Sequence, residues 1–271
     1  MHVSAEASGI LPTRGYNDGN SMSRGMPAAM TSAYVLALDT AHQQCSASLL
    51  SRDGSVSVLR SETVGNKHAE RILSLIDELL DEAGLTKADI GLVAFGAGPG
   101  SFTGLRVACG VAQGIAWALR TNVAAVCNLE ADAQATADAA DLPAGTRIAV
   151  MNDARMQEAY CGLYETAGRG VRVKALCEPL LVKPEAIGGW LADCRADAVC
   201  GSALSVYAAE ISLPEGLRTA DIPADMIVTL ARLAFDDEDA GRTMLPALAS
   251  PLYVRNRVAL TMAERARGER L

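Results

Sequence analysis

The sequence has few aromatic residues, few histidines and no long hydrophobic segment, and each shortage argues against a class of protein. Phe, Trp and Tyr make up 4% of the 271 residues, so smaller aliphatic side chains must fill the core. The three histidines include no pair with the spacing of zinc ligands, and no Cys/His cluster occurs. No segment approaches the ~20 apolar residues of a membrane span, and no apolar signal-peptide segment begins the chain. We therefore expect a soluble, cytoplasmic protein without a metal site.

The chain also lacks the positive charge of a nucleic-acid-binding protein. Its net charge is −8, with a pI near 5.0, so it should bind nucleic acid only through a partner that supplies a basic surface. The seven cysteines are odd in number, lie mostly in apolar segments and form no C-x-x-C pair. Their pattern predicts buried, reduced thiols of an intracellular protein.

The order of elements predicts an α/β protein with two similar halves. Residues 1–32, rich in Gly, Ser, Asn and Met, show no apolar periodicity, and we interpret them as a disordered extension. Three short antiparallel strands then precede strands that alternate with helices, which indicates a mixed sheet flanked by helices. A strand, polar turn and strand at 145–165 repeat that beginning. We therefore predict subdomains at 33–130 and 131–250, followed by an Arg-rich segment at 251–271.

Two helices of the first half carry apolar or small residues that allow two interpretations. Residues 67–83 place Ile72, Leu75 and Leu79 on one face, as an amphipathic helix packed on a sheet would. Residues 104–119 contain many glycines and alanines, which permit close approach of a neighbour. Packing on the sheet and contact with a partner protein both remain open at this point.

The sequence "GPGSFTGLR" at 98–106 joins an apolar strand to the second of these helices. No Lys-Ser/Thr follows its glycines, so it is not a P-loop, and its glycine spacing does not fit a dinucleotide-binding fingerprint. Ser101 lacks the G-x-S-x-G pattern of a hydrolase nucleophile. No catalytic residue is therefore predicted.

Two interpretations of this loop remain open. Its backbone N–H groups and the following helix N-terminus could hold an anion or a nucleotide, with possible contacts from Asp39, Thr40, Gly98, Gly100 and Ser101. Alternatively, the glycines permit close packing of helix on strand, with Phe102 as a surface anchor.

Five motifs, in order and spacing, resemble those of one bacterial family. They are "LALDTA…CSASLL", "KHAERIL", "GPGSFTGLRVACGVAQGIAWAL", "NDARMQEAYCGLY" and "PLYVRNRVA". Across about residues 34–260 the chain resembles the TsaB family, also called YeaZ, of tRNA threonylcarbamoyladenosine biosynthesis proteins. The resemblance implies the actin/Hsp70/sugar-kinase fold, with two ribonuclease H-like subdomains.

The resemblance also implies a function. Members of this family act as scaffolding and activating subunits for a TsaD-type catalytic subunit, together with a TsaE-type ATPase. The complex uses ATP and magnesium and transfers a threonylcarbamoyl group to adenosine 37 of tRNAs that read codons beginning with A. The catalytic subunit has two metal-binding histidines in a V-N-H-x-x-G-H segment. This chain has "VCNLEAD" there, with Asn128 and Asp132 in place of the histidines, so we expect no bound cofactor and no catalysis by the chain alone.

In the family, the first two helices form the interface with the catalytic subunit and also support homodimers. We carry this over to candidates on the two helices and the loop between them: His68, Ile72, Leu75, Leu79, Phe102, Arg106, Val107, Val111 and Ile115. Asn152 departs from the family pattern, and we attach no functional prediction to it. An alternative function is an actin-like ATP-dependent small-molecule kinase or ATPase, suggested by Asp39-Thr40 and the glycine loop.

Overall fold

Two β-sheets with helices on their faces are built by residues 31–255, the part of the chain that the computed structural model describes. The predicted extension at the N-terminus and most of the predicted Arg-rich segment lie outside these residues. The two mixed sheets confirm the predicted α/β class with two related halves.

The first sheet has five strands in the spatial order β3-β2-β1-β4-β5. Its elements are β1 (Tyr34–Asp39), β2 (Gln44–Ser51), β3 (Ser57–Thr63), α1 (His68–Ala83), β4 (Ile90–Gly98), α2 (Phe102–Leu119) and β5 (Asn122–Cys127). The first three strands pair antiparallel, whereas β4 and β5 run parallel to β1, as the sequence pattern predicted. Helix α3 (Asn128–Ala139) then leads to the second sheet.

The second sheet has six strands, five of them in the order β11-β10-β6-β7-β8, while β9 pairs with β7. Its elements are β6 (Arg147–Asp153), β7 (Ala159–Glu165), β8 (Lys174–Ala175), β9 (Leu180–Val182), α4 (Pro184–Cys194), β10 (Ala198–Cys200), α5 (Ala203–Val206) and β11 (Arg218–Thr219). Helix α3 covers one face of this sheet and α4 covers the other.

The last long helix, α6 (Met226–Asp239), packs on the first sheet although it follows the second in the chain. Successive residues of β1 explain why that sheet needs cover on both faces. Leu36 and Leu38 point into the core beneath α1 and α2, whereas Val35 and Ala37 point into the core beneath α6. The boundary predicted at residue 130 therefore does not separate the two packing units, because α6 completes the first one.

Helix α2 is, among the described helices, the one that is long and apolar enough by length and composition to cross a membrane. Six of its residues are buried: Gly104, Leu105, Ala108, Cys109, Ala112 and Ala116. They turn toward β4 and the core shared with α1, so the helix packs as the core helix of a globular protein does.

The apolar stripe of α1 faces inward, which corrects part of the predicted partner interface. Ile72, Leu75 and Leu79 are each 0% exposed and lie in the core beneath α1 and α2. They cannot contact a partner, because the most regular apolar stripe of a helix is the face that packs on its own sheet. Leu73, one position outside this stripe, is 53% exposed.

The contrast between Leu73 and Leu75 gives a direct test of this assignment. Leu75→Ala should lower the free energy of unfolding by about 2–5 kcal/mol, because it leaves a cavity in a packed core. Leu73→Ala, the matched control one half-turn away, should change it by less than about 0.5 kcal/mol. Urea unfolding of both variants measures the difference, and equal effects would contradict the inward orientation of the stripe.

Candidate functional site

The "GPGSFTGLR" loop lies directly on the turn between β1 and β2. The backbone N–H of Ser101 donates a hydrogen bond to the Ala41 carbonyl at 2.8 Å. The Thr40 hydroxyl donates to the Gly104 carbonyl at 2.7 Å, and Thr40 is 0% exposed. The Ser101 side chain in turn accepts from the Gly104 N–H at the start of α2. These bonds fix where α2 begins relative to the first sheet.

The loop glycines allow backbone segments to approach more closely than a side chain would permit. A Cβ added at Gly104 would lie 1.9 Å from the Thr40 carbonyl oxygen, and one at Gly100 would lie 2.7 Å from the Ala41 Cβ. Gly98 has a φ of +122°, which disfavours any other residue. Of the two interpretations left open, the structure thus favours close packing.

The same contacts use groups that an anion would need. The Gly98 N–H donates to the Asn128 side chain at 2.7 Å, and the Ser101 N–H is already bonded to Ala41. Asp39 accepts from the Ala41 N–H at 2.7 Å, and burial is the main cause that raises the pKa of its carboxyl group. The candidate anion contacts therefore lie close together. Most of their polar groups, however, are already hydrogen-bonded to other groups of the chain.

Asn128, the first residue of α3, connects three elements of the structure. Its side-chain nitrogen donates to Asp39 at 2.8 Å, and its side-chain oxygen accepts from Gly98. The residue is 0% exposed at the start of α3. Its amide thus ties α3 to the ends of β1 and β4, and this structural role was not evident from the sequence.

Asp132 lies one turn further along α3 and is 2% exposed. One of its carboxylate oxygens accepts from the Asn152 side-chain nitrogen at 2.7 Å. Asn152 in turn accepts from the Ser202 N–H at 3.1 Å. Burial raises the pKa of Asp132 to about 6. Asn152, to which the sequence gave no function, therefore links α3 to the turn after β10.

An open cleft of about 1480 Å³ separates the two sheets and brings several of these groups together. His42, Asp132, Tyr160 and Ser202 lie along it, together with Gly100 and Ser101 of the glycine loop. Sequence reasoning missed Tyr160 and Ser202. The signal that could have identified Tyr160 is its position in β7, directly opposite Asn152.

Phe102 and Arg106 lie on the surface at the mouth of this cleft, together with Tyr253. The Phe102 and Tyr253 rings are 5.6 Å apart, and the Arg106 guanidinium lies 3.7 Å from the Phe102 ring centroid. Arg106 also donates to the Tyr253 hydroxyl at 3.1 Å. Tyr253 is a contact that spacing could not predict, because it comes from the far end of the chain.

The remaining interface candidates lie along the seam between α1 and α2. Val107, Val111 and Ile115 are half-buried and pack against the core. His68 is also half-buried, and its Nε2 lies 2.9 Å from the His42 carbonyl oxygen.

The exposed side of this seam forms a surface that we call the helical face, with the residues Ala69, Leu73, Val107, Gly110, Val111 and Gly114. Arg71 on the opposite flank of α1 pairs with Glu62 of β3, so the Leu73 flank turns toward α2. A Cβ added at Gly110 or Gly114 would meet nothing within 4 Å, so both glycines border open space.

Comparison with known proteins gives consistent results. The family model described as TsaD, tRNA N6-adenosine threonylcarbamoyltransferase, matches residues 61–192. The TsaB protein of Escherichia coli is 32% identical over 238 residues, which cover 83% of this chain and 96% of that protein. The TsaB protein of Haemophilus influenzae is 41% identical over 131 residues, but the match spans only 53% of its length and 48% of this chain.

Solved structures agree with the sequence comparison. The structure described as YeaZ from Pseudomonas aeruginosa is 31% identical and has a TM-score of 0.66, with 82% of this chain and 99% of that chain covered. A second structure, described as similar to peptidase YEAZ from Pseudomonas aeruginosa, is 32% identical with a TM-score of 0.69, and covers 82% of this chain and 100% of that one.

The close contact between Gly104 and Thr40 predicts that the effect of a Gly→Ala substitution on the free energy of unfolding depends strongly on its position in α2. Gly104→Ala should lower the free energy of unfolding by about 2 kcal/mol or more, because the added Cβ overlaps a backbone oxygen. Gly110→Ala, the control in the same helix, should raise it by up to about 1 kcal/mol. Urea unfolding of both variants checks this, and a harmless Gly104→Ala would refute the close-packing interpretation.

Burial of Asp132 predicts a specific pH dependence of stability. Its pKa lies near 6 in the folded protein, against a reference of 3.8, so the folded state holds the proton more tightly. The stabilisation that this tighter proton binding gives to the folded state is fully present below pH 3.8 and is lost as the pH rises through about 6. Relative to Asp132→Asn, the wild type should therefore lose up to about 3 kcal/mol between pH 4 and pH 7. Urea unfolding across this range checks the sign, and parallel pH profiles would contradict it.

Proposed function

Because the chain belongs to the TsaB family of tRNA threonylcarbamoyladenosine biosynthesis proteins, we propose that it is a scaffolding and activating subunit rather than the catalyst. The complex would transfer a threonylcarbamoyl group to adenosine 37 of tRNAs that read codons beginning with A. A TsaD-like catalytic subunit binds this chain, and a TsaE-like ATPase completes the complex, which uses ATP and magnesium in the cytoplasm.

The observation that carries this proposal is the exposed helical face. Leu73 is 53% exposed at its centre, and Trp117, at the end of α2, is 72% exposed. Exposed apolar side chains beside exposed glycines are typical of a surface that a second protein covers. The catalytic subunit is the occupant that the family membership supports, and the same surface would support a homodimer when the catalytic subunit is absent.

The buried polar groups support a non-catalytic role. Both polar atoms of the Asn128 amide are hydrogen-bonded within the chain, so this residue is not free to act as a histidine would. Among residues 31–255, no group of three or more His, Cys, Asp or Glu side chains could hold a metal ion. Asn128 thus has a structural role where the catalytic subunit has a histidine, and the partner carries out the chemistry.

The charge of the chain supports the proposal that tRNA binds only through the complex. At a net charge of −8, this subunit alone repels a polyphosphate backbone. The actin-like kinase alternative gains no support from the glycine loop, because its Gly98 and Ser101 N–H groups donate to the chain itself.

Reconstitution tests the function. Threonylcarbamoyl transfer to tRNA should be strong with the catalytic subunit, the ATPase and this chain together. It should fall at least tenfold when this chain is left out, and the chain alone should show no transfer. Full transfer without the chain would overturn the proposal.

A pair of surface variants tests the helical face in the same assay. Leu73→Glu should prevent pairing with the catalytic subunit, because an unpaired carboxylate would be buried at the contact. Val171→Glu, a control at a site 51% exposed in the second half, should pair and transfer normally. Light scattering after size-exclusion chromatography measures pairing, and normal pairing by Leu73→Glu would exclude this surface.

A further inference from the structure

The floor of the cleft carries buried negative charge that the chain itself does not neutralise. Burial is the main cause that raises the pKa of Asp132, and the negative charge of the nearby Asp39 raises it further. Among the ion pairs of residues 31–255, neither carboxylate pairs with a lysine or an arginine. A buried carboxylate without a cationic partner costs several kcal/mol, so a protein seldom retains one without use.

The two carboxylates differ in what remains available to a ligand. Both oxygens of Asp39 accept hydrogen bonds, from the Ala41 N–H and from Asn128. Asp132 accepts a side-chain hydrogen bond only from Asn152 among the described residues, and Asp132 lines the cleft. Of the two carboxylates, Asp132 is therefore the one that can still accept a hydrogen bond from a ligand.

A second polar side chain is aimed into the same space. Tyr160 is 9% exposed, lines the cleft and forms no hydrogen bond through its hydroxyl among the described residues. It pairs across the strands with Asn152, whose side chain holds Asp132. Directly opposite residues of antiparallel strands share a face of the sheet, so Tyr160 and Asp132 belong to one patch.

We propose that this cleft binds a small organic molecule through a primary ammonium group, with Asp132 as its counter-charge and the Tyr160 hydroxyl as a second contact. Asp132 and Tyr160 are not part of the helical face, although Ala69 and Val107 of that face line the same cleft. The inference does not depend on the proposed function.

The surroundings favour an ammonium group over other ligands. A phosphate would meet the Asp132 and Asp39 charges, while the Gly98 and Ser101 N–H groups are already donated within the chain. A divalent metal ion needs more oxygen or nitrogen ligands than the described residues offer at one place. An ammonium group supplies both the positive charge and the N–H donors that one free carboxylate oxygen and a hydroxyl can accept.

Calorimetry with 1,4-diaminobutane on the full chain at pH 7.5 tests the proposal, with 1,4-butanediol as the uncharged analogue of the same length. The diamine should bind and the diol should not. Asp132→Asn should weaken diamine binding at least tenfold, and Tyr160→Phe should weaken it by a smaller factor. Asp221→Asn removes the same charge from an exposed residue at the cleft edge, so it should change binding by less than about twofold.

A second measurement is independent of any variant that might fold poorly. The carboxyl carbon of Asp132, followed by NMR in the unmodified protein, should titrate at lower pH when the diamine is present, because a bound cation favours the charged carboxylate. If Asp132→Asn and Asp221→Asn weakened diamine binding equally, the binding would reflect general charge attraction and the proposed site would be overturned. So would an absence of diamine binding, or magnesium binding that Asp132→Asn abolishes.

Discussion

The close approach of the Gly104 backbone to Thr40 is the contact on which the functional surfaces depend. It fixes the start of α2 against the turn after β1, because no side chain fits between the two backbones. From that point α2 runs along α1 and creates the exposed helical face. The same contact sets the wall of the cleft on which Phe102 lies. One glycine-dependent contact thus positions both the helical face and the edge of the cleft.

Two small side-chain networks then join the halves of the molecule. Asn128 connects the ends of β1 and β4, whereas Asn152 connects α3 to the turn after β10. Both place an amide beside a buried carboxylate, and an amide can donate to the carboxylate while it accepts from a backbone N–H. In each network one amide therefore ties a carboxylate to a backbone segment.

The sequence predicted the order of elements well but placed part of the partner interface on the wrong face of α1. Ile72, Leu75 and Leu79 form the most regular apolar stripe, and such a stripe is the one that a helix buries against its own sheet. Leu73 lies on the exposed flank, which the periodicity alone could not distinguish from an isolated surface leucine. The sequence likewise gave no meaning to Asn152 and Tyr160, because their partners are far apart in the chain.

By itself, the sequence determined the two α/β halves, the glycine loop between β4 and α2, and the family motifs, since each depends on local periodicity or on contiguous residues. Tertiary structure alone decided what the loop does, because the choice between anion binding and close packing depends on where Thr40 and Ala41 lie. It also decided that α6 returns to the first sheet and that Asp132 lines the cleft beside Asn152. These properties depend on distances between residues remote in the chain, which spacing along the sequence does not encode.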